Sequence, residues 1–120
     1  MSRTILIVDD EPGFRAMVRG ALKLAGYHVR EAVTGEEALD FLEAERPDAL
    51  LLDIRLPGID GWEVLERLKE KRGGLPVILL SANDSAASFE RAQANDCLTM
   101  QKPFSVRELI ATLGRLLDQQ

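Results

Sequence analysis

The 120 residues make one domain's worth of chain, with 46% hydrophobic and 29% charged residues, the balance of a water-soluble globular protein. Fifteen Lys and Arg against twenty Asp and Glu give a formal charge of −5, so the basic surface that phosphate-backbone binding requires is not evident and direct nucleic-acid binding is not expected. No apolar run approaches the ~20 residues of a membrane span. The first residues lead directly into an apolar run ending at Asp9-Asp10, unlike a signal peptide, and the single cysteine, Cys97, has no partner in the chain. A cytoplasmic setting without membrane contact is the expectation.

The pattern then alternates short apolar runs with helical periods. Thr4 to Val8 is the first strand. Phe14, Met17, Val18, Ala21, Leu22 and Ala25 follow at helical spacing, with Pro12 suited to the first turn and Gly26 to the end. His28 to Val33 alternates as a strand. Thr34-Gly35-Glu36-Glu37 is a capping box opening a second helix, which Pro47 closes off. Ala49 to Leu52 is apolar and ends on Asp53. Trp62, Leu65 and Leu68 mark a third helix, stopped by Gly73-Gly74-Leu75-Pro76. Val77 to Leu80 is a fourth strand ending on Ser81. Ser85 to Ala94 predicts a weak helix carrying Ala86, Phe89 and Ala92 on one face. Cys97 to Met100 is a short fifth strand. Ser105 to Glu108 is a second capping box, opening a helix that buries Val106, Leu109, Ile110, Leu113, Leu116 and Leu117.

Strands alternating with helices predict an α/β fold: a doubly wound, five-stranded parallel sheet with helices on both faces. The first, third and fourth strands are continuously apolar, as strands covered on both faces should be, and the second and fifth are mixed, as edge strands can be. That predicts the flavodoxin-like order 2-1-3-4-5, with ligands outside the carboxyl ends of the first and third strands. Asp9-Asp10-Glu11, Asp53, Ser81 and Lys102-Pro103 then converge on one rim.

Taken singly, each of these has a plain structural reading. An acidic pair caps helices, a strand-end Asp sits in a loop, and Ser81 is a helix-capping type. Their joint placement is what carries the chemistry. Two carboxylates ~5 Å apart repel by roughly 3 kcal/mol at an effective dielectric of about 20. A hard divalent cation relieves that repulsion, and magnesium suits a few carboxylate oxygens, water and a phosphate oxygen. Lys102 adds a fixed positive charge. Together they make a site where Asp53 can act as nucleophile and form an acyl phosphate, with the metal, Lys102 and the Ser81 hydroxyl neutralising the equatorial oxygens. Ala82, next to Ser81, leaves room for the group to enter.

Ile5-Leu6-Ile7-Val8-Asp9-Asp10-Glu11, Asp53 to Gly61 with Pro57 and Asp60-Gly61, Ser81-Ala82, and Lys102-Pro103-Phe104 resemble the receiver domain of bacterial two-component response regulators, of the chemotaxis-regulator type. The resemblance covers Ile5 to Leu117. It implies that Asp53 is phosphorylated from a phosphohistidine on a sensor histidine kinase or histidine phosphotransfer protein. Asp10 and Asp53 would bind Mg2+ directly, with Mn2+ able to substitute. Asp9 would reach the metal mainly through water, and the Arg55 main-chain carbonyl would complete the protein ligands. Lys102 and Ser81 would contact the phosphoryl group, and the Lys102-Pro103 peptide would be cis. The family usually signals to a downstream protein, or dimerises, through the fourth helix, fifth strand and fifth helix. It catalyses its own phosphorylation and dephosphorylation without separate substrate turnover. Residues 1–120 would form a single receiver unit with no effector domain.

The chain departs from that pattern at Thr99, where the family usually has a tyrosine or phenylalanine that swings inward on activation. A ring-burial switch cannot operate there, and the plain reading is a β-branched edge-strand residue. Asn95 stands where glycine is common, and Asn tolerates a left-handed backbone. Arg55 and Asn83 flank the site, at positions that influence phosphoryl lifetime in the family. Cys97 reads as a small core residue, Trp62 as packing near the site, and His28 as solvated; one histidine makes a zinc site implausible.

Rival readings have specific obstacles. A haloacid-dehalogenase-like phosphatase needs an Asp where Arg55 stands. A flavodoxin-like redox module needs a hydroxyl- or glycine-rich phosphate loop where Asp9-Asp10-Glu11 would repel a flavin phosphate. A receiver-like interaction module that is never phosphorylated usually lacks a site residue, and all five are present here.

Overall fold

An apolar run covered on both faces becomes an interior strand of a parallel sheet. In the computed structural model, which describes residues 2–82 and 86–118, three such runs form β1 (Thr4–Val8), β3 (Ala49–Asp53) and β4 (Val77–Ser81). The mixed segments form β2 (His28–Ala32) and β5 (Leu98–Gln101). All pairings are parallel and the order is β2-β1-β3-β4-β5, as strand character predicts. Between them run α1 (Pro12–Leu24), α2 (Gly35–Ala44), α3 (Gly61–Leu68), α4 (Ala86–Ala94) and α5 (Val106–Asp118).

The period of two along each strand divides the core into two layers. Leu6, Val8, Leu50, Leu52, Val77 and Leu79 pack on one side with Ala38, Val64, Leu65, Leu68 and Ala92 from α2, α3 and α4. Ile5, Ile7, Leu51, Ile78, Leu80 and Met100 pack on the other with Val18, Leu22, Leu109, Leu113 and Leu117 from α1 and α5. Each fully buried Leu or Ile contributes about 1.5–3 kcal/mol relative to exposure, so these layers, rather than loop contacts, hold the rim in place.

Register aligns the strand ends. Val8 lies opposite Leu52, Asp53 opposite Leu80, and Ser81 opposite Gln101. The next residues along β1 and β5 are Asp9 and Lys102, so register alone brings both to the rim that carries Asp53 and Ser81.

The helix starts follow their caps. Thr34 Oγ1 accepts from the Glu37 amide at 3.1 Å and Ser105 Oγ from the Glu108 amide at 3.0 Å, as the capping sequences predict. Asp60 Oδ1 accepts from the Glu63 amide at 2.9 Å and opens α3, a third cap. Pro12 occupies the first turn of α1, and Gly26, just past its end, has φ 94°.

Several expectations need correction. Val106 is 40% exposed, although helical spacing places it on the buried face of its helix, and Phe89 on α4 is 48% exposed. A helix's apolar stripe extends past the edge of the sheet it covers, and its outermost members then face solvent. The left-handed residue after α4 is Asp96, at φ 56°, and not Asn95. Asn95 instead donates its side-chain amide to the Arg91 carbonyl at 2.8 Å, ending the helix. β2 ends at Ala32 and β5 begins at Leu98, each one residue inside its predicted limit. Cys97 is buried, where burial pushes its thiol up, and His28 is exposed. Trp62 packs against the core with the Arg91 guanidinium 4.4 Å over its ring. Asn83 and the predicted helix start at Ser85 lie outside the described residues.

Candidate functional site

The site is assembled from four strand ends. Asp9 follows β1 and is fully buried. Its Oδ1 accepts from the Glu11 amide at 2.9 Å and its Oδ2 from the Lys102 ammonium at 2.7 Å. Asp53, the last residue of β3, is 6% exposed. Its Oδ1 accepts from the Arg55 amide at 3.1 Å and its Oδ2 from the same Lys102 ammonium at 3.1 Å. Ser81 ends β4 and is 9% exposed. Its carbonyl accepts from the Lys102 amide at 2.7 Å, which ties the lysine's backbone to the end of β4. Asp10 is exposed, and the Lys102–Pro103 peptide is cis.

Asp9, Asp10 and Asp53 each place a carboxylate oxygen within 4.8 Å of the others. One ammonium pairs with two of the three, Asp9 and Asp53, so the cluster holds more acidic than basic groups. Its donors are all oxygens, a set matched to a hard cation of the magnesium class and not to zinc or copper. Both oxygens of Asp9 already accept hydrogen bonds, whereas Asp10 opens to solvent.

Burial raises the Asp53 carboxyl above its ordinary range; Lys102 opposes that rise and the neighbouring Asp9 charge adds to it. For Lys102, burial pulls the ammonium down, but the hydrogen bond to Asp9 and the charge of Asp53 outweigh burial and hold it above its ordinary value. The lysine thus stays cationic at neutral pH.

The approach to Asp53 is shaped by glycine. A Cβ on Gly61 would lie 2.7 Å from the Asp53 carbonyl oxygen and 2.9 Å from Ile54 Cα. The first turn of α3 therefore passes directly over the end of β3, and only glycine fits. The Gly61 amide donates to the Ile54 carbonyl at 2.8 Å, closing the loop that Asp60 caps.

Phe14 and Arg15, from the start of α1, also belong here. The Phe14 ring lies 4.2 Å from the Lys102 ammonium and meets Phe104 edge-on at 5.6 Å. Arg15 donates to the Asp9 carbonyl at 3.0 Å and is held in turn by Glu31. Phe14 reads from sequence as a core residue of α1, and 88 positions separate it from Lys102, so no local spacing reveals the contact. Thr99 is half-buried on β5 opposite Leu79, away from these contacts. A cavity of about 640 Å³ lies at the amino ends of β4 and β5, lined by Arg72, Cys97, Leu98 and Arg115, and includes none of the carboxylates.

This arrangement, on this sheet order, has a family. The model of the response regulator receiver domain matches residues 5–114. The chain belongs to that family. Response regulator MprA of Mycobacterium tuberculosis is 43% identical to this receiver domain, over 98% of this chain and 51% of that protein. The chain thus spans about half the length of the curated relatives it matches. Among solved structures, a CheY-like receiver domain protein from Methanospirillum hungatei superposes with a TM-score of 0.92 at 30% identity, covering 99% of this chain and 96% of that one. The BeF3-activated DrrB receiver domain superposes with a TM-score of 0.86 at 30% identity, covering 98% of this chain and 99% of that one. Among the described residues, no helix is long and apolar enough to cross a membrane.

Proposed function

We propose that this receiver domain accepts a phosphoryl group on Asp53 from a phosphohistidine of a sensor histidine kinase or histidine phosphotransfer protein. The observation that carries the reading is Lys102 bridging Asp9 and Asp53 at the carboxyl edge of the sheet. Phosphoryl transfer asks the protein chiefly for in-line positioning and charge neutralisation. Both Asp53 oxygens are pinned, one by the Arg55 amide and one by Lys102, so the nucleophile is oriented before any donor arrives. A carboxylate oxygen forms the new O–P bond as the N–P bond to the donor imidazole breaks, and the imidazole nitrogen keeps the electron pair. Lys102 follows the charge onto a phosphoryl oxygen, and the Ser81 hydroxyl donates to another.

Asp10, Asp53 and the Arg55 main-chain carbonyl would hold Mg2+ or Mn2+, with Asp9 acting mainly through water. When bound, that ion supplies positive charge at the transferring phosphoryl oxygens. The reaction is self-modification of residues 1–120 acting as one receiver unit, without separate substrate turnover. We assign output, to a downstream protein or a second copy, to the face of α4, β5 and α5, where Phe89, Leu98 and Val106 are exposed. With Thr99 in place of an aromatic ring, that output runs through Ser81 and α4 rather than through burial of a ring on β5.

Incubation with acetyl phosphate and Mg2+ followed by intact-mass spectrometry tests the reading. One phosphoryl adduct is expected on the wild type and none on Asp53→Ala. A wild type that stays unmodified overturns it.

A further inference from the structure

We propose that Phe14 is a positioning residue for Lys102, holding the ammonium between Asp9 and Asp53 so that it meets the phosphoryl oxygens without first being recovered from solvent. The proposal rests on the phosphoacceptor reading of Asp53. Lysine is a flexible four-carbon stem carrying a strongly hydrated charge, and nothing in its own chain keeps it over a rim. Here Asp9 and Asp53 accept from the ammonium at 2.7 and 3.1 Å, and the Phe14 ring lies 4.2 Å from it. The negative face of an aromatic ring attracts a cation, more strongly when both are shielded from water. The Lys102 side chain is only 17% exposed.

The ring is itself held. Phe14 meets Phe104 edge-on, with ring planes at 84°, and Phe104 belongs to the loop that carries Lys102. The first turn of α1 and the loop after β5 are thereby clamped around the charge. A ring face also attracts the ammonium as a whole, so it leaves the donors to Asp9, Asp53 and an arriving phosphoryl oxygen. A purely structural Phe14 would act only through packing against α5, and an aliphatic residue would serve as well.

Wild type, Phe14→Leu, Phe14→Trp and Lys102→Met distinguish these roles. Trace labelling with acetic anhydride, with exposed Lys23 and Lys69 as internal references, reads how closely Lys102 is held. Phe14→Leu should raise Lys102 labelling by roughly 3- to 10-fold, the range expected for losing a partly shielded cation–π contact. Phe14→Trp should restore it. In Mg2+, beryllofluoride affinity should fall by a similar factor in Phe14→Leu while Mg2+ affinity moves less than about twofold, and in a Lys102→Met background Phe14→Leu should add nothing. Unchanged labelling, or equal losses of Mg2+ and beryllofluoride affinity, overturns the positioning role. A wild type that takes up no beryllofluoride overturns the phosphoacceptor reading and this role with it, an outcome separate from a wild type and Phe14→Leu that bind it alike.

Discussion

The Arg15 guanidinium donates to the main-chain carbonyl of Asp9 at 3.0 Å while pairing with Glu31 on β2 at 3.2 Å. Arg19 joins from the next turn of α1, meeting Glu31 at 2.9 Å. One carboxylate on an edge strand therefore anchors the helix residue that braces the acidic pair. Burial alone would raise the Glu31 carboxyl, but its hydrogen bonds and charge contacts with Arg19 and Arg15 outweigh burial and hold it below its ordinary value of 4.5. A depressed carboxylate stabilises the fold above its unfolded pKa, and that contribution is lost as pH falls through the lower folded value. Glu31→Gln should therefore cost about 0.5–1 kcal/mol at pH 7, as partly exposed pairs do. The gap to wild type should begin to close below pH 4.5. Urea unfolding across pH would check this, and a gap independent of pH would refute it.

Asp53 has the opposite sign. Its carboxyl is raised by burial, so without a metal it favours the fold below its unfolded pKa and disfavours it once ionised. Asp53→Asn should stabilise the metal-free protein at neutral pH by about 1 kcal/mol, since it removes one of two buried carboxylates sharing a lysine. The advantage should shrink as pH falls toward 3.8. Loss of stability in Asp53→Asn at pH 7 would contradict it.

Magnesium should raise the melting temperature of the wild type, because a ligand bound by the folded state alone stabilises it by RT ln(1 + [L]/Kd), about 1.4 kcal/mol at tenfold excess over Kd. Chelation should reverse the gain. Asp10→Asn removes the carboxylate that opens to solvent and should abolish most of the gain while leaving the metal-free fold intact. An undiminished magnesium response in that variant would exclude Asp10 as a ligand.

Gly61→Ala and Gly20→Ala should move stability in opposite directions. The added methyl at Gly61 would press within 2.7 Å of the Asp53 carbonyl, so α3 or the strand end must shift, at a cost of about 1–3 kcal/mol. At Gly20, within α1, a Cβ meets nothing within 4 Å, and alanine should add about 0.5–1 kcal/mol. Chemical denaturation of both, with phosphorylation of Gly61→Ala, gives the comparison; equal behaviour would place the close approach elsewhere.

The amino-acid sequence by itself determined the strands, their order and the rim. A continuous apolar run can be covered only on both faces, mixed runs belong at edges, and parallel register then places Asp9, Asp53, Ser81 and Lys102 at the same end. Cap residues at Thr34 and Ser105 act within one helical turn, so their bonds were legible too. Tertiary structure alone decided what depends on distance between elements. Helical periodicity assigns a face but not where its cover ends, which is why Phe89 and Val106 face solvent. The left-handed turn between α4 and β5 falls on Asp96 and not on Asn95. The lysine's two acceptors and the ring against it come from three different elements, and only packing brings Phe14, Asp9 and Asp53 to one ammonium.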